Sequence, residues 1–136
     1  MQALITQTKP VSADHRRTIW EPLNGPGMRR VNFFEFQEAL PVGNHFHRYG
    51  TELFLVTKGT LRVAVLEDVV NKKRVSVRNL PSGTLISVPV GVSHAFIFEP
   101  GSAMIGMASA PFDESDKDLN DYKLLDKEGN ELPSPN

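Results

Sequence analysis

The chain has 136 residues, which suits one domain with a core large enough for independent folding. Its 15 basic and 16 acidic side chains nearly balance, so no charge excess favours binding to nucleic acid or to an anionic membrane. The sequence contains no cysteine, which excludes disulfides, thiolate ligands and a cysteine nucleophile, so any chemical site must use nitrogen and oxygen donors.

The same features predict where the protein is found. No apolar run approaches the roughly 20 residues of a membrane-spanning helix, and no signal-peptide pattern opens the sequence. Together with the lack of cysteine, this predicts a cytoplasmic protein with no membrane partner.

The first residues of the chain differ from those that follow. Residues 1–27 predict an N-terminal arm, because they hold several prolines and only short strand-like pieces at residues 3–6 and 17–20. Residues 30–37 are rich in aromatic side chains and predict the first full strand of a domain that extends over residues 28–112. A proline-bearing arm beside an open sheet edge predicts a homodimer in which the arm covers that edge.

Three ionisable side chains then lie close together in the sequence: His45, His47 and Glu52. Residues i and i+2 of a strand point to the same face, so the two histidines can aim at one point. Glu52 stands at an odd offset, which would send it to the opposite face of a continuous strand. Gly50 suits a turn or a bulge in between, and we therefore expect a corner that returns Glu52 to the histidine side.

Further strands are predicted from apolar, β-branched or alternating sequence. They cover residues 53–57, 60–66, 73–77, 83–98 (a strand, a turn and a second strand) and 103–108. The aromatic residues expected in the core are Phe33, Phe34, Phe36, Phe54, Phe96 and Phe98. Residues 113–136 are charged and predict a C-terminal tail with a short turn of helix and a loose end.

A fourth candidate ligand lies about forty residues beyond the first three. His94 follows a proline–glycine turn and opens the second strand of its segment. With His45, His47 and Glu52 it makes a plausible four-ligand set for a divalent metal. The sequence leaves the metal open among Zn, Mn, Fe and Ni.

These two segments resemble the signature motifs of the cupin superfamily. The matching positions are His45, His47, Glu52 and Gly59 for the first motif, and Gly83, Pro89, Gly91 and His94 for the second. Ala39 and Phe98 replace the glycine that opens the first motif and the asparagine that closes the second. The resemblance implies an all-β fold, a double-stranded β-helix or jelly-roll barrel, with the His/Glu set pointing into its lumen.

Two narrower resemblances concern the substrate. Residues 43–47 and 52–56 are similar to the cupin domain of bifunctional capsular-polysaccharide epimerase/reductases, a family that binds zinc there. Residues 108–122 resemble a tail found in cupins that isomerise dTDP-4-keto-6-deoxy sugars. Both families handle nucleotide sugars. The resemblance therefore implies an enzyme, an isomerase or epimerase acting on a nucleotide-linked keto sugar in surface polysaccharide biosynthesis.

This activity implies roles for particular residues. Isomerisation of a keto sugar removes a proton beside the ketone, which a metal would polarise. The sequence leaves the base open. In some sugar-isomerising cupins one of the paired histidines, here His45 or His47, serves as the base without a metal, and Tyr49 could donate a proton to the other face. The substrate's diphosphate needs cations at the mouth of the barrel, and the candidates are Arg48, Arg29 and Arg30.

Two other classes of function stay open. A site of histidines and a carboxylate also suits Fe(II) and O₂, as in a metal-dependent oxygenase. A small cupin can also bind a small ligand without catalysis, because the fold does not determine the function.

Overall fold

The computed structural model describes residues 4–24 and 27–136, and every regular element in this part of the chain is a β-strand. The strands are β1 (Ile5–Gln7), β2 (Pro10–Ala13), β3 (Thr18–Trp20), β4 (Arg30–Glu35), β5 (Val42–Phe46), β6 (Glu52–Lys58), β7 (Thr60–Asp68), β8 (Arg74–Pro81), β9 (Thr84–Val88), β10 (Val92–Phe98), β11 (Ala103–Ala108) and β12 (Asn120–Asp121). The all-β class predicted from the sequence is confirmed. None of the described segments forms a helix long and apolar enough to cross a membrane.

Two antiparallel sheets of five strands pack face to face. One has the strand order β1-β9-β6-β11-β4, and the other has the order β12-β5-β10-β7-β8. The core between them contains Leu4, Phe54, Val56, Leu61, Ala64, Leu66, Ile86, Val88, Val92, Phe96, Phe98 and Met104. Burying one such large apolar side chain stabilises the fold by about 1.5–3 kcal/mol. The central strand β10 has all seven of its residues buried, and it provides a fixed support for the site.

The aromatic strand β4 lies at the edge of its sheet, where it pairs with β11. Asn32, Phe34 and Phe36 line the barrel cavity. Val31 and Phe33 face outward and are 57% and 79% exposed. The prediction that Phe33 belongs to the core is therefore wrong, because side chains alternate across a strand and only one face of β4 meets the barrel interior.

The N-terminal arm contains more strand than the sequence predicts. β1 extends its sheet by pairing with β9, whereas β2 and β3 form a separate two-stranded sheet with all of its residues exposed. β2 was not predicted, since it begins at Pro10 and has only four residues. Ala3 and Pro26, which belong to the predicted arm, lie outside the described residues. The division into residues 1–27, 28–112 and 113–136 stays a prediction.

The C-terminal residues pack against the outer face of the second sheet. Tyr122, Leu124 and Leu125 form a second core with apolar side chains of β7 and β10, and Leu124 is 0% exposed. β12 pairs with β5 at His45 and Phe46. The predicted short helical turn is wrong, and the predicted loose end is wrong at least through Leu125, because these apolar side chains hold the segment on the sheet.

A buried carboxylate fastens the end of this segment. Glu67 in β7 is 0% exposed and accepts hydrogen bonds from Arg74 Nε at 2.8 Å, from Ser134 Oγ at 2.9 Å and from the Tyr122 hydroxyl. Burial alone would raise the pKa of Glu67, but these donors outweigh it and keep the pKa below its ordinary value. The carboxylate is therefore an ionised anchor for the C-terminal residues.

Candidate functional site

The four residues of the predicted metal set come together in the barrel. His45 lies in β5, His47 follows that strand, Glu52 begins β6 and His94 lies in β10. His45 and His94 face each other in the pairing of β5 with β10. One donor atom from each of the four side chains lies within 4.8 Å of the others. The structure thus gathers the four side chains that the sequence singled out, and this cluster could hold a metal ion.

A local irregularity of β5 aims the histidines at one point. Gly43 and Asn44 both have a positive φ, of 94° and 59°, and the register of β5 against β10 shifts between His94 and Ala95. A Cβ on Gly43 would lie 2.6 Å from the backbone oxygen of His94. Glycine is needed there because this φ and this close approach of two backbones both exclude a side chain.

Three donor atoms of the cluster are buried and unpartnered. They are His47 Nε2, Glu52 Oε1 and His94 Nδ1. His47 Nε2 lies 2.7 Å from Glu52 Oε1 without hydrogen-bond geometry, and His94 Nε2 lies 3.9 Å from the same oxygen. Buried polar atoms normally have partners. His47 Nε2 and Glu52 Oε1 thus converge without a partner, whereas His94 approaches the same oxygen through Nε2 rather than through its unpartnered Nδ1. Together with the clustering of one donor atom from each of the four side chains, this arrangement fits a divalent ion.

The electrostatics of the cluster also fit a cation. Burial lowers the pKa of His94 to about 3, and burial followed by the proximity of His47 lowers the pKa of His45, so both rings are neutral near pH 7. Burial would lower the pKa of His47 too, but the adjoining Glu52 carboxylate outweighs it and raises the pKa. Burial would raise the pKa of Glu52, but the histidines outweigh it and lower the pKa. The neutral rings of His45 and His94 and the ionised carboxylate of Glu52 are the forms that bind metal, whereas the raised pKa of His47 favours a protonated ring that must lose its proton to bind.

His45 differs from the other three residues because one of its ring atoms is already engaged. Its Nδ1 lies 3.0 Å from the carbonyl oxygen of Gly43. A neutral ring that donates Nδ1–H to this carbonyl keeps the Nε2 lone pair free. His45 is half-buried, and it is the most exposed member of the cluster. Its free lone pair can either bind a cation or accept a proton.

The cluster faces a cavity of about 350 Å³ in the barrel lumen. Apart from the cluster, the lining is mostly apolar and consists of Phe34, Phe36, Phe54, Phe96, Met104, Val42, Gly43 and Leu119, with Arg30 and Asn32 as the polar members. A mostly apolar wall with a few convergent polar groups is typical of a small-molecule site.

A second cavity of about 240 Å³ lies at the mouth of the barrel. It shares Arg30, His47 and Glu52 with the lumen, and it is otherwise lined by the exposed Tyr49, by Gly50 and by most of the residues between 108 and 118. The two cavities therefore meet at the candidate metal cluster, and a ligand longer than one ring would have room in both.

The other predicted site residues are distributed unevenly. Arg30 lines both cavities, its Nε is buried without a partner, and its guanidinium lies 5.8 Å from the ring centre of Phe112. Arg29 and Arg48 are exposed and line neither cavity. Tyr49 is 66% exposed and lines the mouth but not the lumen. Of the three arginines, the geometry favours Arg30.

Sequence reasoning missed two residues that support the site. The side chain of Asn44 accepts hydrogen bonds from the backbone N–H groups of Leu124 and Leu125, at 2.8 and 3.1 Å. Asp118 accepts backbone hydrogen bonds from the loop between His47 and Glu52. The resemblance of residues 108–122 to a tail in sugar-isomerising cupins was the only sequence signal that pointed to this segment.

A family model and several solved structures are similar to this chain. The family model described as "FdtA: WxcM-like, C-terminal" matches residues 27–127. No curated protein matches the sequence. Among solved structures, dTDP-4-dehydrorhamnose 3,5-epimerase from Bacillus anthracis, with TDP and PPi bound, has a TM-score of 0.71 at 19% identity, covering 96% of this chain and 83% of that one.

Two further solved structures share the architecture. A 3,4-ketoisomerase from Helicobacter canadensis has a TM-score of 0.65 at 16% identity over 85% of this chain and 86% of that chain. The capsular polysaccharide assembling protein CapF from Staphylococcus aureus has a TM-score of 0.55 at 23% identity, covering 84% of this chain and 34% of that one. At these identities the likeness concerns the fold, and the predicted cupin jelly roll is confirmed.

Proposed function

Because the chain belongs to the WxcM-like, C-terminal family, we propose that it is a nucleotide-sugar isomerase or epimerase acting on a 4-keto-6-deoxy sugar. The observation that carries this proposal is the convergence of His45, His47, Glu52 and His94 on an apolar lumen of about 350 Å³. Such a lumen has room for one sugar ring. Its apolar wall suits a 6-deoxy sugar, which carries a methyl group in place of a hydroxymethyl group.

The structural relatives support the substrate class. One is a dTDP-4-dehydrorhamnose 3,5-epimerase, with TDP and PPi bound, and another is a 3,4-ketoisomerase. The likeness to a capsular polysaccharide assembling protein supports a role in surface polysaccharide synthesis, which would take place in the cytoplasm.

We assign His45, His47, Glu52 and His94 to a divalent cation of the Zn, Mn, Fe or Ni type. The unpartnered His47 Nε2 and Glu52 Oε1 support this assignment, and His94 and the free Nε2 of His45 would complete the set. When bound, the cation would supply Lewis acidity beside the carbonyl of the substrate.

The proton beside the ketone needs a base, and His45 has the required properties. Its ring is neutral, its Nδ1 is oriented by the Gly43 carbonyl, and its Nε2 is available in the lumen. His47 is less suited, because Glu52 lies 2.7 Å from its Nε2 and raises its pKa. One lone pair cannot hold a cation and accept a proton together, so His45 has one role or the other, and activity with and without chelator distinguishes the two.

Tyr49 and Arg30 extend the site toward the mouth. Tyr49 would donate a proton only to a substrate that reaches the mouth cavity, since its ring lies outside the lumen. Arg30 borders both cavities and has a buried Nε without a partner, so it is the arginine best placed for the diphosphate. Arg29 and Arg48 would reach a phosphate only at the exposed rim.

We also propose a homodimer. β4 has a neighbour on one side within the described residues, and it exposes Val31 and Phe33 on its outer face. The β2–β3 hairpin is a separate sheet with Val11 and Trp20 exposed at 61% and 50%. A free strand edge beside exposed apolar side chains suits pairing with a second copy. Light scattering at micromolar concentration that gives the monomer mass would refute the dimer.

The experiment that tests the function follows the loss of a ring proton. In D₂O, an isomerase or epimerase must exchange a proton next to the keto group, which NMR of a dTDP-4-keto-6-deoxy sugar detects directly. His94→Gln should slow the exchange on the order of 100-fold. The matched control is His15→Gln, because His15 is exposed and distant in sequence from the cluster. Equal exchange in both variants would exclude the cluster from catalysis.

The alternative classes predict different results. Oxygen uptake by iron-loaded protein, with no proton exchange in any 4-keto sugar tried, would favour the oxygenase. Tight binding of the nucleotide sugar with neither reaction would favour a ligand-binding cupin.

A further inference from the structure

The loop between two of the candidate ligands is held from outside the barrel. Residues 48–51, called the corner here, connect His47 to Glu52. The first three backbone N–H groups of the corner donate to the carboxylate of Asp118 at 2.6, 2.9 and 3.4 Å. The fourth donates to Ser109 Oγ at 2.9 Å. Every N–H group of the corner thus donates to a side chain more than fifty residues away in the sequence.

The Asp118 carboxylate fills an anion-binding nest. Consecutive backbone N–H groups that converge on one point form a positive concavity, and hydrogen bonds from it to a carboxylate are stronger than neutral ones. The Asp118 side chain is only 14% exposed, so water competes weakly for these bonds. Because the carboxylate accepts from the N–H groups of the corner, the buried Gly50 has a partner for its N–H group.

The shape of the corner sets the distance between its two flanking ligands. Glu52 lies at an odd offset from His47 and returns to the same side only through this four-residue bend. His47 Nε2 and Glu52 Oε1 end 2.7 Å apart, and the Asp118 carboxylate lies 4.0 Å from the other ring nitrogen of His47. Asp118 therefore borders both the bend and one of the ligands that the bend presents.

Asp118 is itself held in place by its neighbours. It has a φ of 53°, its N–H donates to Asp116 Oδ1 at 3.1 Å, and Asn120 Nδ2 donates to its Oδ1 at 3.3 Å. β12 begins two residues later and pairs with the strand that carries His45. The carboxylate is thus fixed to the barrel independently of the corner.

We propose that Asp118 is a positioning residue, whose carboxylate occupies the nest of residues 48–50 and thereby holds His47 and Glu52 in their converged arrangement. The effect on cation binding rests on the proposed function, whereas the effect on the corner does not. Asp118 lies outside both cupin motifs, so the histidine and glutamate pattern is completed by a residue about seventy positions away.

The test uses the full chain with Asp118→Gly, which removes the carboxylate and keeps a backbone for which a φ of 53° is unstrained. The matched control is Asn79→Gly, because Asn79 has a φ of 57° but lies in β8, away from the corner. Two quantities are measured: hydrogen exchange of the amides of residues 48–50 in metal-free protein, and affinity for Co²⁺ by absorbance against a competing chelator.

We expect the three amides to exchange at least about tenfold faster in Asp118→Gly, because their acceptor is gone. Affinity for Co²⁺ should fall about 10–100-fold, as for the loss of an outer-shell partner of a metal ligand. Formate should restore part of that affinity by filling the nest, whereas Asn79→Gly should change neither quantity. General loosening of the fold would not respond to formate.

Several outcomes would overturn the proposal. They are unchanged exchange at residues 48–50, unchanged Co²⁺ affinity with faster exchange, or a lowered affinity that formate does not improve. If Asp118→Gly fails to fold, Asp118→Asn keeps one acceptor oxygen and should give an intermediate affinity, and wild-type affinity there would also overturn the proposal. Wild-type protein that binds no Co²⁺ would refute the metal centre of the proposed function, and the exchange rates alone would then decide whether Asp118 holds the corner.

Discussion

Replacement of Gly43 by alanine should break the contact between the two strands that carry His45 and His94. Gly43 has a φ of 94°, and an added Cβ would lie 2.6 Å from the carbonyl oxygen of His94 and 3.1 Å from its ring. A left-handed φ costs a residue with a Cβ roughly 1–2 kcal/mol. Crowding against a backbone atom that cannot rotate away costs about 1–3 kcal/mol more. We therefore expect a loss of about 2–5 kcal/mol in the free energy of unfolding.

A second glycine separates these two contributions. Gly101 has a φ of 85°, but a Cβ there would meet nothing within 4 Å. Gly101→Ala should therefore lose only the roughly 1–2 kcal/mol of backbone strain. Urea unfolding of the two variants in metal-free protein measures the difference. Equal losses in Gly43→Ala and Gly101→Ala would refute the argument that close approach of β5 and β10 at Gly43 shapes the site.

Three further predictions concern charge, anchoring and assembly. Because burial keeps His94 neutral in the fold, with a pKa of about 3, the unfolded chain alone takes up this proton below pH 6.5. The free energy of unfolding of metal-free protein should therefore fall by about 2 kcal/mol between pH 6.5 and 5 because of His94. In urea titrations over the same pH range, the free energy of unfolding of His94→Gln should decline less steeply. Glu67→Gln should lower the free energy of unfolding by about 3–5 kcal/mol, since it leaves Arg74 without its buried carboxylate. The matched control is Glu99→Gln, which breaks only the exposed pair with Arg62 and should change the free energy of unfolding little in the same calorimetric assay. Phe33→Glu should lower the mass seen by light scattering from dimer to monomer without loss of the folded circular dichroism spectrum, and an unchanged dimer would exclude the outer face of β4 from the interface.

The sequence was sufficient for the barrel and for the four clustered side chains because their signals are local. Alternating and apolar runs predict β6, β7 and β11 close to their observed bounds, and the spacing of His45, His47 and Glu52 follows strand geometry. The corner expected between His47 and Glu52 is present at residues 48–51, although Gly50 itself has no positive φ. The positive φ values at Gly43 and Asn44 were not predicted, because they depend on how closely β5 approaches β10.

The remaining features depend on contacts between distant parts of the chain. Nothing near Asp118 in the sequence shows that its carboxylate meets residues 48–50, and the charged composition after residue 113 suggested a loose tail. Buried apolar residues in that segment, such as Leu124, are too few to form a periodic pattern. Phe33 and Phe34 likewise give the same composition signal, and only the packing of β4 shows that Phe34 lines the lumen at 36% exposure while Phe33 faces outward at 79%.

The edge position of β4 also affects how the protein behaves when it is handled. A strand with unpaired N–H and C=O groups and an exposed aromatic ring is a template onto which any extended chain can add. If the proposed dimer covers this edge, protein diluted until the dimer dissociates should be lost to precipitation rather than accumulate as a well-behaved monomer. A lysine at position 31 or 33 would be the natural way to keep such a monomer in solution, because charged side chains on an edge strand oppose stacking of further strands.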